Sequence, residues 1–218
     1  VIKGAPQALG MRHIGSGLAH LLHAAQECDR IEDPLPGWMF RLALCERIAT
    51  TYIISAGRSI PPLARTREYA AEFRKAGWPE YQAELKASLD RTLPVPGRQV
   101  TVLLDELLLA RHVGGAAVMA GQVGHLIDQA ESRAASILVV PPTSDTHVPA
   151  STLGHLLLPG DLSLFTEEDS DCVSYSAGPD ASAERKQLVE ALLDAALPQP
   201  QSLDQLREIR DKFSRKAT

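Results

Sequence analysis

Cysteine is scarce in this chain. Cys28, Cys45 and Cys172 are the 3 cysteines among 218 residues, and none sits in a CxxC pair. An odd, sparse set is no disulfide framework, and it points to a reducing, cytoplasmic setting. Aromatic residues make up only 5%, which leaves little for stacking against single-stranded nucleic acid. No apolar run approaches the roughly 20 residues that span a bilayer. The opening Val1-Ile2-Lys3-Gly4 has neither Met nor the apolar stretch of a signal peptide, so the expectation is a trimmed chain without a secretory leader. A positive surplus is missing too: Lys and Arg number 22 against 27 Asp and Glu, a net charge of −5. Duplex binders usually carry a basic face, so neither direct nucleic-acid contact nor membrane contact is expected.

What is present is ordinary globular material, 44% hydrophobic and 22% charged. The length suits one large domain or two small ones. Texture changes at Leu93-Pro94-Val95-Pro96-Gly97, whose prolines bar helix continuation. Before it the chain reads as helical. Leu18, Leu21, Leu22 and Ala25 form one stripe over residues 16–30, and Trp38, Leu42, Cys45, Ala49 and Ile53 form another that Gly57 would stop. A third helix is expected over 64–76 behind Thr66 as N-cap, and a fourth from Trp78-Pro79. After the break, 99–104 and 136–140 read as buried strands around a helix at 116–132. Runs at 152–158, 161–166 and 171–176 are β-like, and Pro159-Gly160 suits a tight hairpin turn. Helices over 181–197 and 202–214 close the chain, with Ser202 and Gln205 as a capping box. The expected class is α/β (α+β): a helical N-terminal part packed on a small mixed sheet flanked by helices. The expected division is a helical extension over 1–41 and one body over 42–218, helical at 42–93 and sheet-bearing at 98–218.

Three stretches resemble a known family. Ile60-Pro61-Pro62-Leu63-Ala64-Arg65-Thr66-Arg67-Glu68-Tyr69-Ala70 is similar to V-P-G-L-L-Q-T-x-x-Y-A. Val102-Leu103-Leu104-Asp105-Glu106 with Leu109-Ala110-Arg111-His112-Val113-Gly114-Gly115 resembles V-L-D-E-x-x-L-x-R-x-V-G-G. Ala196-Leu197-Pro198-Gln199-Pro200-Gln201-Ser202 resembles A-L-S-x-x-E-S. The family is the uncharacterised domain that follows the helix-turn-helix in many actinobacterial XRE-type regulators, often called antitoxin-like. His147 stands where its members often have a histidine. Pro62 and Ala64-Arg65 depart from the pattern. Residues 1–41 show no helix-turn-helix, being interrupted by Pro34 and Pro36. The resemblance implies a ligand-sensing or protein-docking role in a regulatory system, here without its own DNA-binding module.

Asp105 and Glu106 end a buried strand ahead of Arg111 and His112, and strand ends of α/β sheets border ligand crevices. Neighbouring strand residues point to opposite faces, so one carboxylate enters a given pocket. It would hydrogen-bond a ligand or act as a base, with Arg111 taking an anion; the structural alternative is an ion pair tying strand to helix. Arg58, Arg65 and Arg67 flank the proline turn and would hold an anion or form an exposed basic loop. Ser144, Asp145 and His147 have the composition of a triad without its strand elbow, and His155 follows. On the first helix, His20, His23 and Glu27 share a face that would take a transition metal or simply be solvated. Glu167-Glu168-Asp169-Ser170-Asp171 lacks calcium-loop spacing and reads as a solvated loop. The expected partner is a small molecule or a small protein, and symmetry makes a homodimer the default. The alternative function is a stand-alone enzyme of specialised metabolism, metal-dependent through the His-rich first helix.

Overall fold

The computed structural model describes residues 11–28, 30–35, 37–75, 97–146, 148–169 and 172–217. The elements are α1 (Met11–Glu27), β1 (Ile31–Asp33), α2 (Trp38–Ile48), β2 (Thr51–Ala56), a 3-10 turn (Pro62–Ala64), α3 (Arg67–Lys75), β3 (Gln99–Asp105), α4 (Glu106–Leu109), α5 (Ala116–Glu131), β4 (Ser136–Val140), β5 (Thr152–Leu158), β6 (Leu162–Glu168), β7 (Val173–Ser176), α6 (Pro179–Ala195) and α7 (Gln199–Ala217). The strands form one mixed sheet in the order β1-β7-β6-β5-β2-β3-β4. The β2-β3 and β3-β4 pairs are parallel; the others are antiparallel. The fold class expected from sequence is the one observed.

Alternation along the strands sets the layers. Val102 and Leu104 of β3 and Ile137 and Val139 of β4 face a large core, shared with Val123 and Leu126 of α5 and Leu206 and Ile209 of α7. Leu103 and Val140 face the other way and pack with Leu192 of α6. The parallel strands are thus covered on both faces, which is why they read as continuous apolar runs rather than alternating ones. Each buried leucine or valine stabilises the sheet by ~1.5–3 kcal/mol.

The helical reading of residues 42–93 fails at 51–56. The stripe of α2 stops at Ile48, and Ala49 turns to an extended backbone. Thr51-Tyr52-Ile53-Ile54 then forms β2, in parallel register with β3. Its β-branched and aromatic side chains suit a pleated surface, and a ready partner strand outweighs helical spacing. Three-residue β1 is a second strand within the part read as helical, and it pairs with β7. The expected fourth helix at Trp78-Pro79 lies outside the described residues.

Smaller corrections concern turns and caps. Leu158 pairs with Leu162, so three residues, Pro159 to Asp161, make the hairpin loop. Gly160 and Asp161 both adopt positive φ there, 82° and 58°. Helix α7 starts at Gln199, so Ser202 is no cap. Its hydroxyl donates to Leu197 O (2.8 Å) and accepts from Val139 N (3.0 Å), while Leu197 N donates to Val139 O (2.8 Å). The segment thereby closes off the exposed edge of β4. Thr66 does cap α3, accepting from Tyr69 N at 3.2 Å.

Candidate functional site

The proline turn is locked from below. Buried Gln122 of α5 accepts from Thr66 N (2.7 Å) and donates to Ala64 O (2.8 Å). The Tyr69 hydroxyl accepts from Ile60 N at 3.4 Å, and burial pushes that phenol up from its ordinary pKa. Arg65 is spent on the same turn: Nε donates to Ile60 O (2.6 Å) and Nη2 to Ser59 Oγ (3.1 Å). It braces backbone and lines neither hollow described below. The signature-like stretch is therefore a structural clamp between α3 and α5. Arg58 meets Asp169 at 3.9 Å, and Arg67 is exposed.

The strand tip is different. Beyond Asp105 the chain makes the single turn α4, anchored by buried Leu108 and Leu109 while Leu107 stays 61% exposed. Asp105 is its N-cap, Oδ1 accepting from Leu107 N at 2.8 Å. On one side of this turn lies an open hollow of about 380 Å³, walled by Asp105, Leu107, Val140, Pro141, Pro142, Ser144, Asp145, Thr146 and Val148. Asp105 and Val140 are register partners at the carboxyl ends of β3 and β4. The hollow thus lies at the carboxyl ends of the parallel strands, the end of an open α/β sheet at which ligands bind. On the other side is a smaller hollow of about 180 Å³ holding Glu106, His112, Phe213, Lys212 and Lys216. There Glu106 accepts from Gln205 Nε2 at 2.8 Å. His112 meets the Phe213 ring edge-on, with centroids 5.0 Å apart and planes at 72°.

The two adjacent carboxylates therefore go to separate places, as the alternation at a strand end required. Neither forms an ion pair among the described residues, so the strand-to-helix ion pair gives way to a cap and an amide contact. Arg111 is exposed and lines neither hollow. His147 lies outside the described residues; its neighbours Thr146 and Val148 line the larger hollow. His155 is elsewhere, stacked on Phe165 at 4.3 Å with Nε2 2.8 Å from Ser163 Oγ. Burial first, then Lys186, holds its pKa below the ordinary imidazole value, partly offset by Glu190.

His20, His23 and Glu27 all lie exposed on α1, and no metal-holding group of three such side chains exists among the described residues. Helical rise explains this: seven residues separate His20 from Glu27 by about 10 Å along the axis. The acidic run is less solvated than expected. Glu167 and Glu168 belong to β6; Glu167 meets Arg185 and Arg30, each at 3.2 Å, and Glu168 is buried. Residue spacing did not single out Leu107, Val148, Lys212, Phe213 or Lys216. The proline pair after β4 was the one available signal, since a strand stopped abruptly leaves a loop over its end.

Fold and site together define a three-layer α/β domain with a crevice at the carboxyl ends of its parallel strands and no helix, among the described residues, long and apolar enough to cross a membrane. The chain belongs to the family described as a domain of unknown function (DUF5753), whose model matches residues 40–208. No curated protein matches it. Among solved structures it is similar to TrmBL2, an archaeal chromatin protein, with 13% identity and a TM-score of 0.35 over 86% of this chain. The chain spans 63% of that protein. Likeness at this level carries no argument about either fold or function.

Proposed function

We propose that this domain is a regulatory sensing module of an actinobacterial, antitoxin-like regulator system, and that its ligand seats in the hollow beside Asp105. The observation that supports this is the placement of Asp105. It stands at a parallel strand tip, beside an open hollow of about 380 Å³ rather than bulk water alone. The capping bond engages Oδ1. A carboxylate has about four lone-pair sites, so it retains acceptor capacity for an incoming group. Hydroxyl-bearing Ser144 and Thr146 and the apolar walls of Val140 and Pro142 give the mixed lining typical of small-molecule sites.

The test is a thermal-shift screen of the chain against small metabolites of either charge. A true ligand at 100 times its Kd adds about 2.7 kcal/mol of stability, or roughly 5–10 °C in Tm for a domain of this size. Asp105→Asn keeps a capping side chain and should abolish most of that rise. A rise that ignores this substitution, or none across the screen, contradicts the reading.

A further inference from the structure

We infer that Gly57 is a positioning residue of the larger hollow: its missing side chain lets the Val148–Pro149 backbone seat on the tip of β2, and that seat fixes the wall Val148 gives the site. This rests on the reading of that hollow as the ligand site and adds what sets one of its walls.

Gly57 directly follows β2. In sequence it looked like a helix stop, but α2 has already ended at Ile48. Backbone freedom is not its purpose either: positive φ occurs at Gly37, Gly97, Gly114, Gly115 and Gly160, not at Gly57. Space is the purpose. A Cβ there would lie 2.6 Å from Pro149 O, 3.3 Å from Val148 O and 3.4 Å from Pro149 C. All three are backbone atoms, so no change of rotamer relieves the contact. Glycine suits such a close approach of one backbone to another.

Under an added methyl, the loop yields and the strand does not. β2 lies inside the sheet, paired with β3 from Thr51 to Ala56 and with β5 from Thr51 to Ser55. Val148 and Pro149 belong to no strand or helix. Carbon–oxygen contacts of this kind sit at about 3.3–3.6 Å, so the loop backbone must retreat by about 0.7–1 Å. Val148 retreats with it. Its side chain lines the hollow and packs on the cluster of Leu103, Val140 and Leu192. Binding sites hold their geometry to about 0.5 Å, so this displacement exceeds what a fitted wall absorbs.

The test compares Gly57→Ala with the parent by crystallography and by binding. In the ligand-free variant, Val148 and Pro149 should move outward by about 0.7–1 Å while β2 stays in place. The compound that stabilises the parent through Asp105 should bind the variant about tenfold more weakly. Adding Val148→Ile to Gly57→Ala should restore much of that affinity, because the longer side chain reaches back across the gap. A glycine needed only for packing would give no such rescue. An unmoved loop, or a displaced β2, overturns the seat whatever any compound does. A moved loop with unchanged affinity, or no rescue by Val148→Ile, overturns the positioning role and leaves the ligand site standing. A Gly57→Ala chain that does not fold assigns the glycine to the fold as a whole and also overturns that role. No stabilising compound for the parent overturns the site and the role together.

Discussion

The two hollows beside α4 begin from consecutive residues and differ in charge, size and freedom. The larger one has Asp105 and Asp145 and an apolar wall. The smaller one has Lys212, Lys216 and His112 around Glu106, whose carboxylate is already engaged by Gln205. The cause is a change of period. Asp105 ends a strand and follows its two-residue alternation, whereas Glu106 starts a helical turn and swings toward α7. Two carboxylates adjacent in sequence thus do unrelated work. Lys216 of the smaller hollow also has a structural reason to be there, since it lies in the last turn of α7 and cations near a helix C-terminus are favoured by its dipole.

Leu109 is fully buried and anchors the turn that separates the hollows. Leu109→Ala should cost about 2–5 kcal/mol in chemical denaturation and deform both sides together. A loss well under that range would mean α4 is not the shared wall. Next in size is Gln122→Ala, which strips partners from Thr66 N and Ala64 O. It should cost about 2–4 kcal/mol, while ligand-induced stabilisation at the Asp105 hollow survives. Loss of that stabilisation in a folded Gln122→Ala protein would tie the proline clamp to the site.

A milder change sharpens the contrast. Gln205→Ala frees Glu106 and should cost about 1 kcal/mol. Ligand effects at the larger hollow should stay the same; a change there would show that the two carboxylates act together. The smallest expected effect lies away from both hollows. His155 is held below the usual imidazole pKa in the folded chain, so the unfolded chain binds its proton more readily. Its contribution is whole above the unfolded value of about 6.5 and is lost as pH falls through the folded value. Tm should therefore drop more steeply on acidification for the parent than for His155→Gln. Parallel curves would contradict that sign.

Much of the frame was legible because its signals were local and redundant. Strands 99–104 and 136–140 are β-branched runs around a periodic helix, and the sheet's antiparallel half followed from short runs and one Pro-Gly turn. β2 was hidden because Trp38, Leu42, Cys45 and Ala49 are truly helix-spaced or just past it, and Ile53 extends that spacing by chance. Only pairing with β3, 48 residues away in register, reveals the strand. Asp105 was legible as a strand-tip carboxylate, but its hollow was not, because Asp145 and Val148 arrive from a loop about 40 residues later. The bracing of the turn by Arg65 was not legible, because a guanidinium beside a turn looks the same in sequence whether it binds an anion or its own backbone.

Amide chemical-shift mapping during titration with a compound that raises Tm in the parent but not in Asp105→Asn tests most directly whether the strand-tip hollow is where this domain receives its ligand. Saturable shifts are expected at Leu107, Ser144, Asp145, Thr146 and Val148, with Lys212, Phe213 and Lys216 unmoved. Shifts centred on α7, or none that saturate, would contradict it.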